Sequence, residues 1–200
     1  HLPVADEDPV FTHKQFELFD SIVESIPGRD EKFHVHLSNS AGLLDYHSRT
    51  TNLVRPGLLI YGISPLPAHQ EFLRPVMTFK SRVSVINHLP KGHGVSYGRT
   101  ILERDTKAAI LGLGYGDGYP RSLSGKGTSV VLNNSRCPLL GRVTMDQIIV
   151  DVTELDECHP GDEAELFGSN LLVSDLAKKA GTIPWEILTQ ITPRVTRVYR

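Results

Sequence analysis

The sequence predicts two folds in series, namely βα units of a parallel sheet or barrel followed by a mainly antiparallel β domain. Over residues 1–65, strand-like and helix-like segments alternate, which is the rhythm of βα units. Beyond a proline-rich stretch, the helical spacing gives way to short β-type segments separated by turns, a pattern typical of a small antiparallel domain. We therefore expect a βα domain over 1–65, a linker over 66–75 and a β domain over 76–200.

The composition excludes several classes of protein. The 200 residues carry a net charge of −2 and are 40% hydrophobic, so the chain lacks the basic excess of a nucleic-acid-binding domain. No apolar run approaches the roughly 18 residues of a membrane span, and the N-terminus shows no signal-peptide pattern. Cys137 and Cys158 lack the spacing of a zinc site, and we expect two reduced thiols, no bound metal and a cytoplasmic location.

The first 65 residues supply the elements of the βα part. Apolar residues at spacings of three and four predict a helix over Phe11–Ile26, with Thr12 as its N-cap. The segment 32–39, "KFHVHLSN", predicts a short buried strand, and 41–48, "AGLLDYHS", a short helix. The apolar run 53–62, "LVRPGLLIYG", is broken by Arg-Pro-Gly and is too short for a helix of its own.

The second part supplies short strands and two closing helices. The β-type segments are "VMTFKSRVSVINHL", "KAAILGLGY", "SVVLNN", "CPLLGRV", "QIIVDVT" and "DEAELFG". Ser174 or Asp175 is expected to cap a helix that ends at Gly181, and Thr182 is expected to cap a last helix that has Pro184 in its first turn.

The stretch Gly112–Arg121, "GLGYGDGYPR", resembles a phosphate-binding loop only superficially. Neither choice of first glycine completes Gly-x-Gly-x-x-Gly, no amphipathic helix follows, and no Gly-Lys-Ser/Thr is present. The spacing favours a glycine-rich turn between strands.

Four ordered blocks nevertheless carry a family resemblance. They are "HLSNSAG" with "VRPGLLIYGISP", then "VSYGRT", "GYGDGYPR" and "GRVTMDQIIVDVT". Together they resemble the signature blocks of alanine racemase, and the match extends from His1 to Tyr199. The resemblance implies an N-terminal (β/α)8 barrel that holds pyridoxal 5′-phosphate (PLP), a C-terminal β domain, and a homodimer whose active site is shared between subunits.

On that resemblance the chain corresponds to a C-terminal half. Residues 1–65 would be the last βα units of the barrel, and the lysine that carries PLP would lie in a partner N-terminal half. The absence of an initial methionine agrees with this expectation of a fragment or a processed half. Such a chain is expected to be inactive by itself.

The cofactor residues implied by the resemblance lie in the first part. In barrels, phosphate sites commonly form from the loops after strands 7 and 8, and the resemblance assigns the phosphate to Ser40, Gly57 and Leu58. Read without the resemblance, Ser40 also suits a helix N-cap. Arg55 matches an arginine that faces the pyridine nitrogen of the cofactor, and His36 matches a histidine that supports this arginine.

The catalytic residue implied by the resemblance is Tyr97, which would serve one face of the substrate Cα while the lysine serves the other. His1 matches a histidine that hydrogen-bonds this tyrosine. Met145 and Asp146 match a loop that contacts the substrate carboxylate, chiefly through backbone N–H groups, and Tyr115 matches a tyrosine at the active-site entrance. In the family, these β-domain residues come from the opposite subunit.

The sequence thus predicts a PLP-dependent alanine racemase that acts on a small amino acid by two-base proton transfer and supplies D-alanine for peptidoglycan. Some family members have a tyrosine that touches the phosphate where this chain has Pro193, so a serine or broad-specificity racemase stays open. A third possibility is a non-catalytic dimerisation module. No nucleic-acid or membrane partner is expected.

Overall fold

A computed structural model describes residues 1–28, 30 and 32–199 of the chain. These residues form two compact units, His1–Val76 (unit 1) and Met77 onward (unit 2); Arg200, the predicted end of the β domain, lies outside the described residues. Within the described ranges, no helix combines the length and apolar character needed to cross a membrane.

Unit 1 begins with helix α1, Pro9–Glu24. The spacing of apolar residues predicted this helix correctly, but the expected cap at Thr12 is wrong. Asp8 is the N-cap, because its side chain accepts a hydrogen bond from the N–H of Phe11 at 2.9 Å. Pro9 then occupies the first turn, where its missing N–H has no intrahelical partner to lose. Thr12 is buried inside the helix.

One face of α1 packs into a small core. Phe16 of the helix joins a buried cluster formed with Leu2, Ala5, Leu37 and Ala41. The ring of Phe16 also stacks on Tyr46, with centroids 5.4 Å apart. Only part of the predicted apolar face of the helix is buried, since Ile22 and Ile26 remain exposed.

The rest of unit 1 is built from short pieces. They are helix α2, Ser40–Asp45, helix α3, Gly57–Ile60, and a 3₁₀ helix over Pro67–Phe72. The strand expected over 32–39 is reduced to one parallel bridge between His36 and Leu53. The interpretation of 53–62 as too short for a helix is wrong in part, because the run divides into this bridge and α3.

A buried carboxylate ties α1 to the segment that follows α2. Asp20 accepts hydrogen bonds from Ser48 Oγ at 2.6 Å, Thr50 Oγ1 at 2.7 Å and the N–H of Arg49 at 3.1 Å. Burial alone would raise the pKa of Asp20, but these donors, together with the charge of Arg49, hold that pKa below its usual value.

Unit 2 is a closed antiparallel β-barrel, which confirms the predicted antiparallel β domain. Its strands are β1 (Phe79–Leu89), β4 (Thr106–Leu111), β5 (Ser129–Leu132), β6 (Ser135–Leu140), β7 (Ile148–Asp151) and β8 (Glu163–Phe167). The order around the barrel is β1-β4-β7-β6-β5-β8. Closure rests on β1, which pairs with β4 through its C-terminal half and with β8 through its N-terminal half.

Every second side chain along the strands points into the barrel and fills its interior. In β5 and β7 buried residues alternate with half-buried ones, as period-2 patterning requires. The fully buried apolar side chains of this core include Leu111, Val130, Leu132, Ile148, Val150 and Leu166. Cys137 and Cys158 are both free and buried, and burial raises the pKa of the Cys137 thiol to about 11.

A two-stranded hairpin outside the barrel had no counterpart in the sequence analysis. Strands β2, Gly94–Val95, and β3, Thr100–Ile101, pair antiparallel. Each strand has only two residues, too few to show a period.

Two helices follow β8, as predicted. Helix α4, Val173–Ala180, ends at Gly181, whose φ is +75°. Helix α5, Pro184–Thr189, has its proline in the first turn. The predicted caps at Ser174, Asp175 and Thr182 are wrong, because the N-cap positions are Leu172 and Ile183, which offer no side-chain acceptor.

Candidate functional site

In unit 1, Arg55 is held by two histidines. Its guanidinium is hydrogen-bonded through Nη1 to Nδ1 of His36, lies 3.3 Å through Nη2 from Nδ1 of His1, and donates from Nη2 to the carbonyl of Leu37 at 3.1 Å. Because arginine has only donors, both imidazoles must accept through Nδ1. The structure therefore brings together His1, His36 and Arg55, the three residues predicted to support catalysis.

His1 reaches Arg55 because the residue after it is anchored. Leu2 is buried, and its carbonyl accepts a hydrogen bond from Nδ2 of Asn39 at 3.0 Å. The other side-chain atom of Asn39, Oδ1, accepts from the N–H of Gly42 and so caps α2. Asn39 was not predicted as a site residue, although it lies inside the quoted "HLSNSAG" block.

The residues predicted to bind phosphate meet where α2 and α3 begin. Ser40 is the first residue of α2, and its Oγ accepts the N–H of Leu58 at 2.9 Å. The N–H of Gly57 is taken by the carbonyl of Arg55, also at 2.9 Å. Ser40, Gly57 and Leu58 are thus adjacent, but the two backbone donors already have protein acceptors.

In unit 2, Tyr97 lies at the tip of the β2–β3 hairpin and is 72% exposed. The tip is tightly bent, because Ser96, Gly98 and Arg99 all have positive φ, a conformation that costs energy for non-glycine residues. Ser96 holds it in place: its Oγ donates to the carbonyl of Arg142 at 2.7 Å and accepts the N–H of Arg142 at 3.2 Å. This serine was not predicted as a site residue, although it immediately precedes Tyr97.

Two further loops carry the predicted substrate residues. The Tyr115 loop (residues 114–118) and the Met145 loop (residues 144–147) are joined by backbone hydrogen bonds, from the N–H of Tyr115 to the carbonyl of Thr144 at 3.0 Å and from that of Gly116 to the carbonyl of Met145 at 2.9 Å. Tyr115 and Met145 are 42% and 51% exposed. Both can therefore meet a ligand while their backbones stay fixed.

Two N–H groups of the Met145 loop are available, whereas those of Thr144 and Gln147 are bonded within the loop. Within the residues that the structure describes, those of Met145 and Asp146 donate to no acceptor. The carboxylate of Asp146 is engaged elsewhere, since its Oδ1 lies 2.7 Å from Nη2 of Arg194. Arg194 was not predicted, because its partner is 48 residues away along the chain and no local pattern marks it.

The glycines of "GLGYGDGYPR" now have an explanation. A Cβ on Gly114 would lie 2.1 Å from the carbonyl oxygen of Thr144, and one on Gly118 would lie 2.4 Å from that of Gln190. Gly118 also has a φ of +103°. The glycines therefore let three backbone segments approach one another, and the predicted glycine-rich turn supports Tyr115.

Chemically, the two groups of residues differ. Unit 1 presents hydroxyl, imidazole and guanidinium groups beside two helix starts, and unit 2 presents a phenol with free backbone N–H groups on exposed turns. Among the described residues, no group of three or more histidine, cysteine or acidic side chains is arranged to hold a metal ion.

The comparisons with known proteins agree with this division. Residues 1–65 match the family model "Alanine racemase, N-terminal domain", and residues 76–199 match "Alanine racemase, C-terminal domain". An alanine racemase from Methylacidiphilum infernorum is 40% identical over 208 residues, which covers 100% of this chain and 52% of that protein. The chain thus spans about half the length of the relatives that it matches.

Solved structures give the same result. The alanine racemase from Bartonella henselae with covalently bound pyridoxal phosphate has a TM-score of 0.88 and 31% identity, covering 98% of this chain and 54% of that one. The alanine racemase from Bacillus anthracis with bound L-Ala-P has a TM-score of 0.85 and 34% identity, covering 98% and 52%. With both family models matched in order along its length, this chain belongs to the alanine racemase family.

Proposed function

We propose that this chain forms the C-terminal portion of a PLP-dependent alanine racemase, a cytoplasmic homodimer that interconverts L- and D-alanine and supplies D-alanine for peptidoglycan. Residues 1–65 would complete a (β/α)8 barrel with an N-terminal half that carries the PLP lysine, and residues 76–200 would be the β domain. The bound pyridoxal phosphate and L-Ala-P named for two relatives support the cofactor and the substrate class.

In unit 1, the start of α2 offers donors for the phosphate of PLP, although the N–H groups of Gly57 and Leu58 have protein acceptors. Ser40 Oγ uses a lone pair to accept from Leu58, so its hydroxyl hydrogen is free to donate. Among the described residues, the N–H groups of Ser40 and Ala41 at the start of α2 have no acceptor. A Cβ on Gly57 would meet nothing within 4 Å, so the space beside that backbone is open.

The observation that carries the proposal is that Arg55 is held by His36, His1 and the carbonyl of Leu37. When bound, PLP supplies an electron sink that acidifies the Cα–H of an amino acid. Arg55 would face its ring nitrogen and hold a hydrogen bond there without giving up a proton, because a guanidinium stays charged. A ring left unprotonated is a weaker sink, which favours return of the proton to Cα over transamination. The bonds to His36, His1 and Leu37 fix Arg55 for this task.

Tyr97 would hold or move the proton on one face of Cα. Its exposure on a hairpin tip suits a residue that acts in the active site of the partner subunit. The hydrogen bond predicted from His1 to this tyrosine would then form between subunits. The free N–H groups of Met145 and Asp146 would bind the substrate carboxylate, and Tyr115 would line the entrance.

The test uses the full-length enzyme that contains this chain. Tyr97→Phe should lower the rate of D-alanine formation from L-alanine by about 10²–10⁴-fold, the usual contribution of a general acid or base. Tyr199→Phe is the matched control, because Tyr199 is 89% exposed and belongs to neither group of site residues. An unchanged rate in Tyr97→Phe would contradict the assignment, and an inactive wild-type enzyme would favour the dimerisation module.

A racemase for serine or for several amino acids is the second candidate, and Pro193 is the residue that leaves it open. Proline offers neither a hydroxyl nor an N–H, so the phosphate contact that a tyrosine makes there in some relatives is missing. Rates with L-alanine and L-serine on the full-length enzyme decide between them. A higher kcat/KM for serine would replace the alanine assignment.

A further inference from the structure

We propose that Arg194 is a positioning residue that locks the Tyr115 loop to the Met145 loop and so sets the geometry with which the substrate carboxylate is received. The inference rests on the proposed function and deepens it, because it assigns a role to a residue outside the predicted site.

The guanidinium of Arg194 bridges the two loops directly. Its Nε lies 3.3 Å from Oδ1 of Asp117, in the Tyr115 loop, and its Nη2 lies 2.7 Å from Oδ1 of Asp146, in the Met145 loop. The hydrogen bond to Asp146 and the charge of Asp117 raise the pKa of Arg194 above its usual value. Arginine suits this position because its planar fork can serve two carboxylates at once.

Asp117 is a largely buried partner of Arg194 that also bonds to the backbone of its own loop. Its side chain is only 13% exposed, and its Oδ2 accepts the N–H of Gly114 at 2.9 Å. The carboxylate therefore links Arg194 to the backbone turn that carries Tyr115. Partial burial of this side of the bridge makes it less screened by solvent than an exposed ion pair.

Thr192 adds a second attachment from the same segment. Its N–H donates to the carbonyl of Asp117 at 3.2 Å, and its Oγ1 donates to the carbonyl of Gly116 at 3.0 Å. The turn that contains Arg194 is itself closed by a bond from the N–H of Val195 to the carbonyl of Thr192. The Tyr115 loop is thus held by the Met145 loop on one side and by residues 192–195 on the other.

The lack of a side chain at Gly116 shows how closely these parts fit. A Cβ there would lie 2.7 Å from Nη1 of Arg194 and 3.0 Å from the carbonyl oxygen of Met145. The guanidinium therefore lies against the backbone of the Tyr115 loop.

The consequence for function follows from Asp146. Because its side chain is held by Arg194, the neighbouring backbone is fixed with the N–H groups of Met145 and Asp146 free. Loss of Arg194 would leave the two backbone hydrogen bonds between the loops but remove the ion pairs to Asp146 and Asp117. Substrate binding should then suffer more than the chemical step.

The test compares Arg194→Met with Arg104→Met in the full-length enzyme. Arg104 is a matched control, because it also bridges two carboxylates, one 13% exposed (Asp151) and one 80% exposed (Glu154). We expect Arg194→Met to raise amide hydrogen exchange at Tyr115 and Gly116 by at least about fivefold. It should also raise KM for alanine by about tenfold with kcat within about threefold. Arg104→Met should change neither, and Arg194→Lys should restore part of each.

Unchanged exchange at Tyr115 and Gly116, or an equal response in Arg104→Met, would overturn the proposal. So would faster exchange with an unchanged KM, since the bridge would then hold loops that do not position the substrate. If the wild-type enzyme does not racemise alanine, the proposed function fails, and the exchange comparison alone still decides whether Arg194 holds the two loops together.

Discussion

The two units hold their candidate site residues by different means. In unit 1, Arg55 and its neighbours depend on polar contacts, and α1 is fastened to the segment before Arg55 by the buried carboxylate of Asp20. In unit 2, Tyr97, Tyr115 and Met145 lie on turns outside a closed barrel with a fully buried apolar interior. Unit 1 should therefore be sensitive to the loss of individual polar contacts, and unit 2 to the loss of apolar packing.

Exposed apolar residues show that unit 1 depends less on apolar packing than unit 2 does. In unit 1, α1 leaves Leu18 and Ile22 more than half exposed, at 54% and 53%, and Phe72 and Val76 are more exposed still. Unit 1 therefore buries less apolar surface, and polar contacts such as those of Asp20 contribute a larger part of its stability.

The largest expected effect is a cavity in the barrel. Leu132 is fully buried, and Leu132→Ala should lower the free energy of unfolding of unit 2 by about 2–5 kcal/mol. Trp185 is the single tryptophan of the chain and lies in unit 2, so its fluorescence during urea unfolding reports this loss. Val198→Ala, at a 73% exposed position, is the control, and an equal effect of the two changes would show that packing in the barrel does not dominate.

A smaller effect is expected in unit 1. Asp20→Asn replaces a buried carboxylate that accepts three hydrogen bonds, and it should cost about 1–3 kcal/mol. Faster hydrogen exchange along α1 would report the loss, with the exposed Asp6→Asn as control.

The same carboxylate gives unit 1 a pH dependence. Because the folded-state pKa of Asp20 is lowered, its stabilisation is fully present above the unfolded-state pKa of about 4 and is lost as pH falls through the folded value. The protection of α1 amides against exchange, relative to the unfolded chain at the same pH, should therefore fall below about pH 4 in the wild type and fall less steeply in Asp20→Asn. The same acid dependence in both proteins would contradict this origin.

The smallest effect is expected where unit 2 buries a polar atom without a partner. Within the described residues, the hydroxyl of Tyr119 is buried and has no hydrogen-bond partner, and burial raises the pKa of this phenol. Removing an unpaired buried hydroxyl costs little, so Tyr119→Phe should leave the stability within about 1 kcal/mol of the wild type or raise it. A loss well beyond that would reveal a bond to this hydroxyl.

Periodicity predicted the elements whose contacts are local or repeat along the chain. The spacing of Phe16 and Val23 predicted α1, and short β-type segments separated by turns predicted the six barrel strands. It did not predict that Asp8 rather than Thr12 caps α1, since both are good acceptors and the backbone geometry decides. The sequence also did not predict that the barrel closes, because closure depends on β1 pairing with two strands that are distant along the chain.

The predicted site residues came from the family resemblance of the quoted blocks, whereas the residues that hold them act across the chain. Ser96 and Asn39 lie inside quoted blocks but act through bonds to Arg142 and Leu2, which no spacing reveals. Arg194 has no local signal, because its two carboxylate partners meet only after the barrel has folded.

The central claim is that Tyr97 serves one face of Cα and a lysine serves the other. The most direct test is α-hydrogen exchange in D₂O, measured separately with L- and D-alanine on full-length Tyr97→Phe. We expect exchange to persist with one enantiomer and to be lost with the other, while conversion between them stops. Equal exchange with both enantiomers, or continued racemisation, would contradict the account.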